Sequence, residues 1–203
     1  MMNDNLSHKQ LCERAAAWLR GNRRCDPVLT KLASAGEIPD AIGWSSSYKH
    51  LGSIVIECKT SRADFHNDRK KYTCYRAPGA TWTCPGKRFT QQEIKDGGYT
   101  AENVPNMGDY RFFLCRPGII DEALLDEYFP DHGLIWMDAG RVRIVREAQK
   151  RANPDRSGEI RYLRFALIHL RDNLLGLGLT VDTAEATKFF GRKGITLPTG
   201  AAQ

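Results

Sequence analysis

Long apolar runs are missing from this chain of 203 residues. No stretch approaches the roughly 20 consecutive apolar residues of a membrane-spanning helix, so the sequence excludes that class of protein. The N-terminal segment Met1-Met2-Asn3-Asp4-Asn5 is polar and shows no apolar core of a secretory signal. We therefore expect a cytoplasmic protein without a membrane partner.

Close cysteine pairs are missing as well. The common zinc-binding arrangements need such pairs, and the spacing of Cys74 and Cys84 fits none of them, which argues against a zinc site. Reduced thiols are the expected state in the cytoplasm. The five histidines likewise show no metal-ligand spacing. The six cysteines are Cys12, Cys25, Cys58, Cys74, Cys84 and Cys115.

Internal repeats and low-complexity tracts are also absent. The composition is that of an ordinary soluble domain, with 27% charged and 41% hydrophobic residues. The length favours one domain with a real core, which we place at residues 1–175, followed by a tail at 176–203. The formal net charge of +6 suits a polyanionic partner such as DNA, although mildly basic proteins are common.

Helix and strand patterns alternate along the chain. Ser7 is a good N-cap for a helix that Gly21 ends, and Ser61 can begin a second one. The predicted order is a helix, three strands and a helix, then a strand, a helix, two strands and a helix. This order indicates a mixed α/β (α+β) domain. The predicted helices span 7–20, 61–72, 121–128 and 161–175, and the predicted strands 28–32, 37–42, 53–59, 110–115, 133–137 and 141–145.

The segment 77–109 interrupts these patterns. It contains Pro-Gly and Gly-Gly pairs and no sustained periodicity, which predicts a loop-rich insertion at 78–108. A long segment of this kind inside a domain is usually functional or mobile. Its aromatic and basic residues, among them Lys87 and Arg88, suit contacts with DNA. A small satellite core under the loop is the alternative interpretation.

The most informative residues are Pro39-Asp40 and Glu57-Cys58-Lys59. Side chains alternate faces along a strand, so Glu57 and Lys59 point the same way. If the strands that carry them pair, Asp40 joins them at one edge of the sheet. Such a site suits a hard divalent cation, Mg²⁺ or Mn²⁺, held by Asp40, Glu57 and the backbone carbonyl of Cys58. Lys59 would orient or deprotonate the attacking water in phosphodiester hydrolysis.

Each part of this motif also has a structural interpretation. A Glu-x-Lys pair at a strand end is often an exposed ion pair worth about 0–1 kcal/mol, and Pro-Asp is common in turns. The combination favours the functional interpretation, because a run of strand residues precedes Glu57 and a basic helix follows Lys59.

With these motifs the chain resembles the PD-(D/E)xK nuclease superfamily, whose core is an αβββαβ unit, and more closely the MmcB-like DNA-repair family. The similarity covers roughly residues 8–175. The chain departs from the family in its insertion and at Lys71-Tyr72, where the family has a tryptophan. The matching stretches are Ile54-Val55-Ile56-Glu57-Cys58-Lys59-Thr60-Ser61-Arg62-Ala63-Asp64-Phe65, Asn67-Asp68-Arg69-Lys70-Lys71, Gly133-Leu134-Ile135-Trp136-Met137-Asp138 and Ile144-Val145-Arg146-Glu147-Ala148.

The resemblance implies a restriction-endonuclease-like fold, with a mixed central sheet flanked by helices. It also implies Mg²⁺- or Mn²⁺-dependent DNA hydrolysis in repair, recombination or phage and host nucleic-acid processing. Many members of the superfamily carry an accessory metal-binding carboxylate on the first helix, for which Glu13 is the candidate here. A solvated surface role is the alternative for Glu13.

The basic residues after the motif are candidates for phosphate contacts, namely Arg62, Lys70 and Lys71. Two other functions stay open. One is a DNA-binding module on the same fold that does not cleave DNA. The other is an interaction protein that binds a partner protein through the insertion. The oligomeric state is open too, with a homodimer among the options.

Overall fold

The computed structural model describes residues 6–32, 37–68, 73–76, 100–103, 106–138 and 140–176. The chain divides into two units, residues 1–162 and 163–203. Of the second unit the structure describes 163–176, which continue a helix. The predicted domain boundary at residue 175 stays a prediction. Among the described helices, none has the length and apolar character needed to cross a membrane.

Helix α1 (His8–Arg23) begins where the sequence predicts. The Ser7 hydroxyl accepts from the backbone N–H of Gln10, and the Gln10 side chain accepts from the N–H of Ser7, so the two residues form a capping box. The helix runs past the predicted stop at Gly21, because Arg24, with a φ of 53°, supplies a left-handed cap instead.

A six-stranded mixed sheet is the centre of the first unit. The described strands are β1 (Cys25–Leu29), β2 (Ala41–Ser45), β3 (Gly52–Lys59), β4 (Thr73–Arg76), β5 (Thr100–Asn103), β6 (Tyr110–Cys115), β7 (Gly133–Asp138) and β8 (Arg141–Arg146). β1, β2 and β3 form an antiparallel meander. β3, β6 and β7 pair in parallel, and β8 runs antiparallel to β7. The expected restriction-endonuclease-like αβββαβ core with a mixed central sheet is confirmed.

Three further helices begin at recognisable caps, and they are α2 (Arg62–Asp68), α3 (Glu122–Tyr128) and α4 (Arg156–Gly176). Ser61 accepts from the N–H of Asp64 at 3.1 Å, and Asp121 accepts from the N–H of Leu124 at 3.0 Å. α4 starts before the predicted residue 161, because the Asp155 carboxylate accepts from the N–H of Gly158 at 2.9 Å and caps an earlier turn.

Two strand boundaries and one loop differ from the prediction. Pro39 has no N–H to donate, and β2 begins only after Asp40, so Asp40 precedes this strand. The first strand lies at Cys25–Leu29 instead of 28–32. The loop prediction for 77–109 is wrong at its end, where β5 pairs antiparallel with β4 and residues 106–109 are buried. Residues 77–99 and 104–105 lie outside the described part.

The two faces of β3 carry different chemistry. Ile54, Ile56 and Cys58 pack with residues of α1 in one hydrophobic cluster. Because side chains alternate along a strand, Glu57 and Lys59 lie on the opposite face. On that face Phe113 of β6 packs against Phe65 of α2, and their ring centroids are 5.2 Å apart. The end of β3, which carries Glu57, Cys58 and Lys59, therefore lies between α1 on one face of the sheet and α2 on the other.

Candidate active site

Glu57 and Lys59 stand at the end of β3, on the same face of the sheet, as the alternation of strand side chains requires. Both are buried, with 5% of Glu57 and 2% of Lys59 exposed. Lysine and glutamate are rarely buried to this extent unless they are paired. Their burial rules out the interpretation of Glu-x-Lys as an exposed surface pair.

Asp40 lies beside Glu57, directly before the neighbouring strand β2. Ala41 pairs with Ile56 in the antiparallel ladder, so the register places Asp40 opposite Glu57. The Asp40 carboxylate accepts a hydrogen bond from the backbone N–H of Cys58 at 2.8 Å. The structure thus brings the three sequence-predicted catalytic residues, Asp40, Glu57 and Lys59, to one end of the β2–β3 pair.

The backbone carbonyl of Cys58 shares this position. In a strand the N–H and C=O of one residue point the same way. Since the Cys58 N–H points at Asp40, its carbonyl is directed toward the same edge, beyond the start of β2. The Cys58 side chain is fully buried on the α1 face, as the alternation predicts.

Asp68 holds the ammonium group of Lys59. The Lys59 Nζ lies 2.6 Å from Asp68 Oδ2, and Asp68, the last residue of α2, is itself fully buried. The ammonium also lies 6.0 Å from the centre of the Phe113 ring, within the range of a cation–π contact. The position of the Lys59 side chain is therefore set by α2.

A buried arginine connects Glu57 to a further carboxylate. Arg111 of β6 is fully buried, and its Nη2 lies 3.3 Å from Glu57 Oε1. Its Nη1 lies 2.7 Å from Glu37 Oε1 and donates to the Met107 carbonyl at 2.7 Å. Glu37 also accepts from the N–H of Met107 at 2.8 Å. One guanidinium thus offsets part of the negative charge of two carboxylates.

The contact with Arg111 does not compensate for the burial of the Glu57 carboxyl. Burial raises the pKa of its carboxyl to about 8, while Arg111 and Lys59 act to lower it and Asp40 and Asp68 act to raise it further. A carboxyl with a raised pKa in a cluster of charged groups is a common property of functional sites. A bound cation would favour the ionised form.

The raised pKa of Glu57 predicts that stability falls with rising pH. Between the ordinary value of 4.5 and about 8, the unfolded carboxyl is ionised while the folded one keeps its proton. Folding therefore binds a proton in this window, and the free energy of unfolding declines as pH increases, by up to about 5 kcal/mol at 1.4 kcal/mol per pKa unit. Urea unfolding from pH 5 to 8.5 in EDTA should show this decline, and Glu57→Gln should flatten it. An unchanged slope in the variant would contradict the assignment to Glu57.

The donor set fits a hard divalent cation. Asp40 and Glu57 supply carboxylate oxygens and Cys58 supplies a carbonyl oxygen, which are the ligand types that Mg²⁺ and Mn²⁺ prefer. The Arg111 contact uses one of the two carboxylate oxygens of Glu57. The remaining predicted ligand, Glu13, lies on α1 with an exposed side chain, and its role stays a prediction.

Of the predicted DNA contacts, the structure describes Arg62. Its side chain is 53% exposed, and its guanidinium lies 3.5 Å from Asp121 and donates to the Ile119 carbonyl. Arg62 is therefore open to solvent next to the site, at the start of α2. Lys70, Lys71, Lys87 and Arg88 lie outside the described residues.

Sequence reasoning missed five residues that surround the motif. Asp68 and Arg111 hold Lys59 and Glu57, and Glu37 pairs with Arg111. The other two are His8 and Cys12 of α1, which meet Asp40 from the opposite side of the sheet. The sequence contains a sign of the His8–Cys12 pair, because residues four positions apart on a helix lie on the same face.

The comparisons with known proteins are sparse. Neither a protein-family model nor a curated protein sequence matches the chain. Among solved structures, the chain is similar to the SPO1766 protein of unknown function from Silicibacter pomeroyi. The two are 22% identical with a TM-score of 0.48, over 83% of this chain and 90% of that one. At this level the similarity carries no argument about function.

Proposed function

We propose that the protein is a metal-dependent nuclease that hydrolyses the phosphodiester bonds of DNA. One observation carries the proposal, namely that Asp40, Glu57 and Lys59 meet at the end of the β2–β3 pair with the Cys58 carbonyl directed to the same edge. Two carboxylates, a carbonyl and an ammonium are the groups that cleavage of a phosphodiester by a hard cation requires.

Each group has a defined part in the proposed reaction. Asp40, Glu57 and the Cys58 carbonyl would hold Mg²⁺ or Mn²⁺, which lowers the pKa of bound water and offsets the charge of the phosphate. The Lys59 ammonium, held by Asp68 at 2.6 Å, would donate to the attacking water and to a phosphate oxygen. Asp68 is then a positioning residue, because it acts through Lys59.

DNA is the substrate that the charge favours. The chain has a formal net charge of +6. Arg62 has a partly exposed side chain and lies three residues after Lys59, at the start of α2. Arg141 and Arg143 add exposed positive charge on β8. Phosphate contacts of this kind give affinity without sequence information.

A cleavage assay tests the proposal. The full chain is incubated with single-stranded, duplex, flap and junction DNA and with RNA, in Mn²⁺ or in EDTA. We expect wild-type cleavage of at least one DNA in Mn²⁺ only, and losses of about 100-fold or more in Asp40→Asn and Lys59→Met. Lys9→Met, an exposed lysine of α1, controls for the loss of one positive charge and should cleave normally, and circular dichroism should show that Lys59→Met is folded under the assay conditions. Equal cleavage by all four proteins, cleavage of RNA alone, or no wild-type cleavage of any substrate would contradict the proposal.

A second candidate is a DNA-binding module without turnover. It is favoured by the contact between Arg111 and Glu57 and by the burial of the three motif side chains, none of which exceeds 9% exposure. This candidate predicts DNA binding that weakens steeply with salt and survives Asp40→Asn, without cleavage in any metal. The same set of variants therefore separates the two functions.

A further inference from the structure

Three potential metal ligands with different donor atoms meet on the α1 side of Asp40. His8 and Cys12 lie one turn apart on α1, and Asp40 approaches them from the start of β2. Their ligand atoms all lie within 4.8 Å of one another. His8 Nε2 is 3.2 Å from Asp40 Oδ2, and His8 Nδ1 is 3.5 Å from Cys12 Sγ.

We propose that His8, Cys12 and Asp40 bind one transition-metal ion of the Zn²⁺ class. Zinc takes imidazole nitrogen, thiolate sulfur and carboxylate oxygen at about 2.0–2.3 Å, which places its ligand atoms about 3.4–3.6 Å apart in a tetrahedron. The 3.2 and 3.5 Å separations involve different ring nitrogens of His8, and the three ligand atoms lie within 4.8 Å of one another, so binding requires side-chain movements of about an ångström to reach this spacing. On binding, the Cys12 thiol loses its proton to solvent, and water completes the coordination.

Access to the cluster comes through His8. The His8 side chain is 36% exposed, whereas that of Asp40 is 13% exposed and Cys12 is buried. The two ring nitrogens of His8 face different partners, so the imidazole must rotate to present one of them to the ion. The ring is open to solvent over about a third of the side chain, at 36% exposure, so the protein does not enclose it on all sides.

Lys31 competes with the ion for His8. Its ammonium lies 2.8 Å from His8 Nδ1, and its side chain is exposed to solvent. A positive charge at this distance opposes a bound cation. Removing the Lys31 charge should therefore strengthen metal binding, whereas a purely structural role for the cluster predicts no such gain.

This site is distinct in chemistry from the proposed magnesium site, although the two share Asp40. Mg²⁺ prefers oxygen ligands, whereas thiolate and imidazole select zinc and similar ions. The inference does not rest on the nuclease proposal. Glu57→Gln removes a proposed magnesium ligand and leaves all three zinc ligands in place, so it separates the two sites.

Titration of the reduced full chain with Co²⁺ tests the inference, because a thiolate bound to Co²⁺ gives charge-transfer absorption. We expect one Co²⁺ per chain with this absorption, and its displacement by Zn²⁺. Cys12→Ala should lose the absorption, and His8→Ala should bind about tenfold or more weakly, since even outer partners of metal ligands cost that much. Lys31→Met should bind more tightly, and Glu57→Gln should keep the absorption.

Cys25→Ala is the matched control for Cys12→Ala. Both thiols are buried, with 4% exposed, and both belong to the hydrophobic cluster on the α1 face. The control should retain the charge-transfer absorption. Should Cys12→Ala fail to fold, judged by its circular dichroism, the surface variant Lys31→Met still decides. Absence of the absorption in wild type, its loss in Cys25→Ala but not in Cys12→Ala, or unchanged affinity in Lys31→Met would overturn the inference.

Discussion

At pH 8.5, where most of Glu57 is ionised, Arg111→Met is expected to lower the free energy of unfolding by about 3–5 kcal/mol, which changes the folding equilibrium by a factor of hundreds to thousands. The arginine is fully buried and pairs with Glu57 and Glu37, so its removal leaves two carboxylates without their shared cation. Arg111 also acts to lower the pKa of Glu57. The loss should therefore be larger at pH 8.5 than at pH 5, where Glu57 is protonated in either protein.

Urea unfolding in EDTA at the two pH values measures this effect. Arg62→Met is the control, because Arg62 also pairs with a carboxylate, but at 3.5 Å and with both side chains more than half exposed. Exposed pairs contribute about 0–1 kcal/mol, so the control should unfold almost as wild type does. Equal losses in the two variants, or a larger loss at pH 5, would show that Arg111 does not neutralise these carboxylates.

Removing either partner of the Lys59–Asp68 pair should also cost about 3–5 kcal/mol, since a buried charge then loses the opposite charge that lies 2.6 Å away. Asp68 is fully buried and Lys59 is 2% exposed, so neither can reach solvent easily. The double variant Lys59→Met with Asp68→Leu replaces both charges with apolar groups. We expect the double variant to lose much less stability than the sum of the two single losses, because apolar replacement of a buried pair removes both charges together.

The three variants and wild type form a double-mutant cycle, measured by urea unfolding. A strong favourable coupling between the two sites is the expected result. Additive losses would contradict it and would mean that the 2.6 Å contact contributes little to stability. The prediction concerns folding alone and is independent of the nuclease proposal, since it holds whether or not the site turns over.

The motif and the element order could be predicted because both depend on local patterns. The period of two along β3 places Glu57 and Lys59 on one face, and the predicted strand next to them exists, although it begins at Ala41 and not at residue 37. The N-caps at Ser7, Ser61 and Asp121 fix where three helices begin. Strand alternation and helix N-caps each depend on residues that are only a few positions apart in the sequence.

The surrounding residues could not be predicted because they come from distant elements. Arg111 reaches Glu57 through the parallel pairing of β3 with β6, and the chain between these strands gives no sign of that register. Asp68 meets Lys59 through the angle at which α2 returns over the sheet. His8 and Cys12 meet Asp40 because α1 packs across β2 and β3, a tertiary arrangement that helix periodicity leaves open.

The outer strand β8 has a consequence for behaviour in concentrated solution. Within the described residues it pairs on one side, with β7, and its Val142 and Ile144 are 36% and 38% exposed. An outer strand of this kind is a template on which another chain can add a strand and begin to aggregate. Arg141 and Arg143 stand next to these apolar residues, so two like strands repel each other. The same arginines that suit a polyanion therefore protect the sheet edge, and a polyanion that neutralises them would also remove that protection.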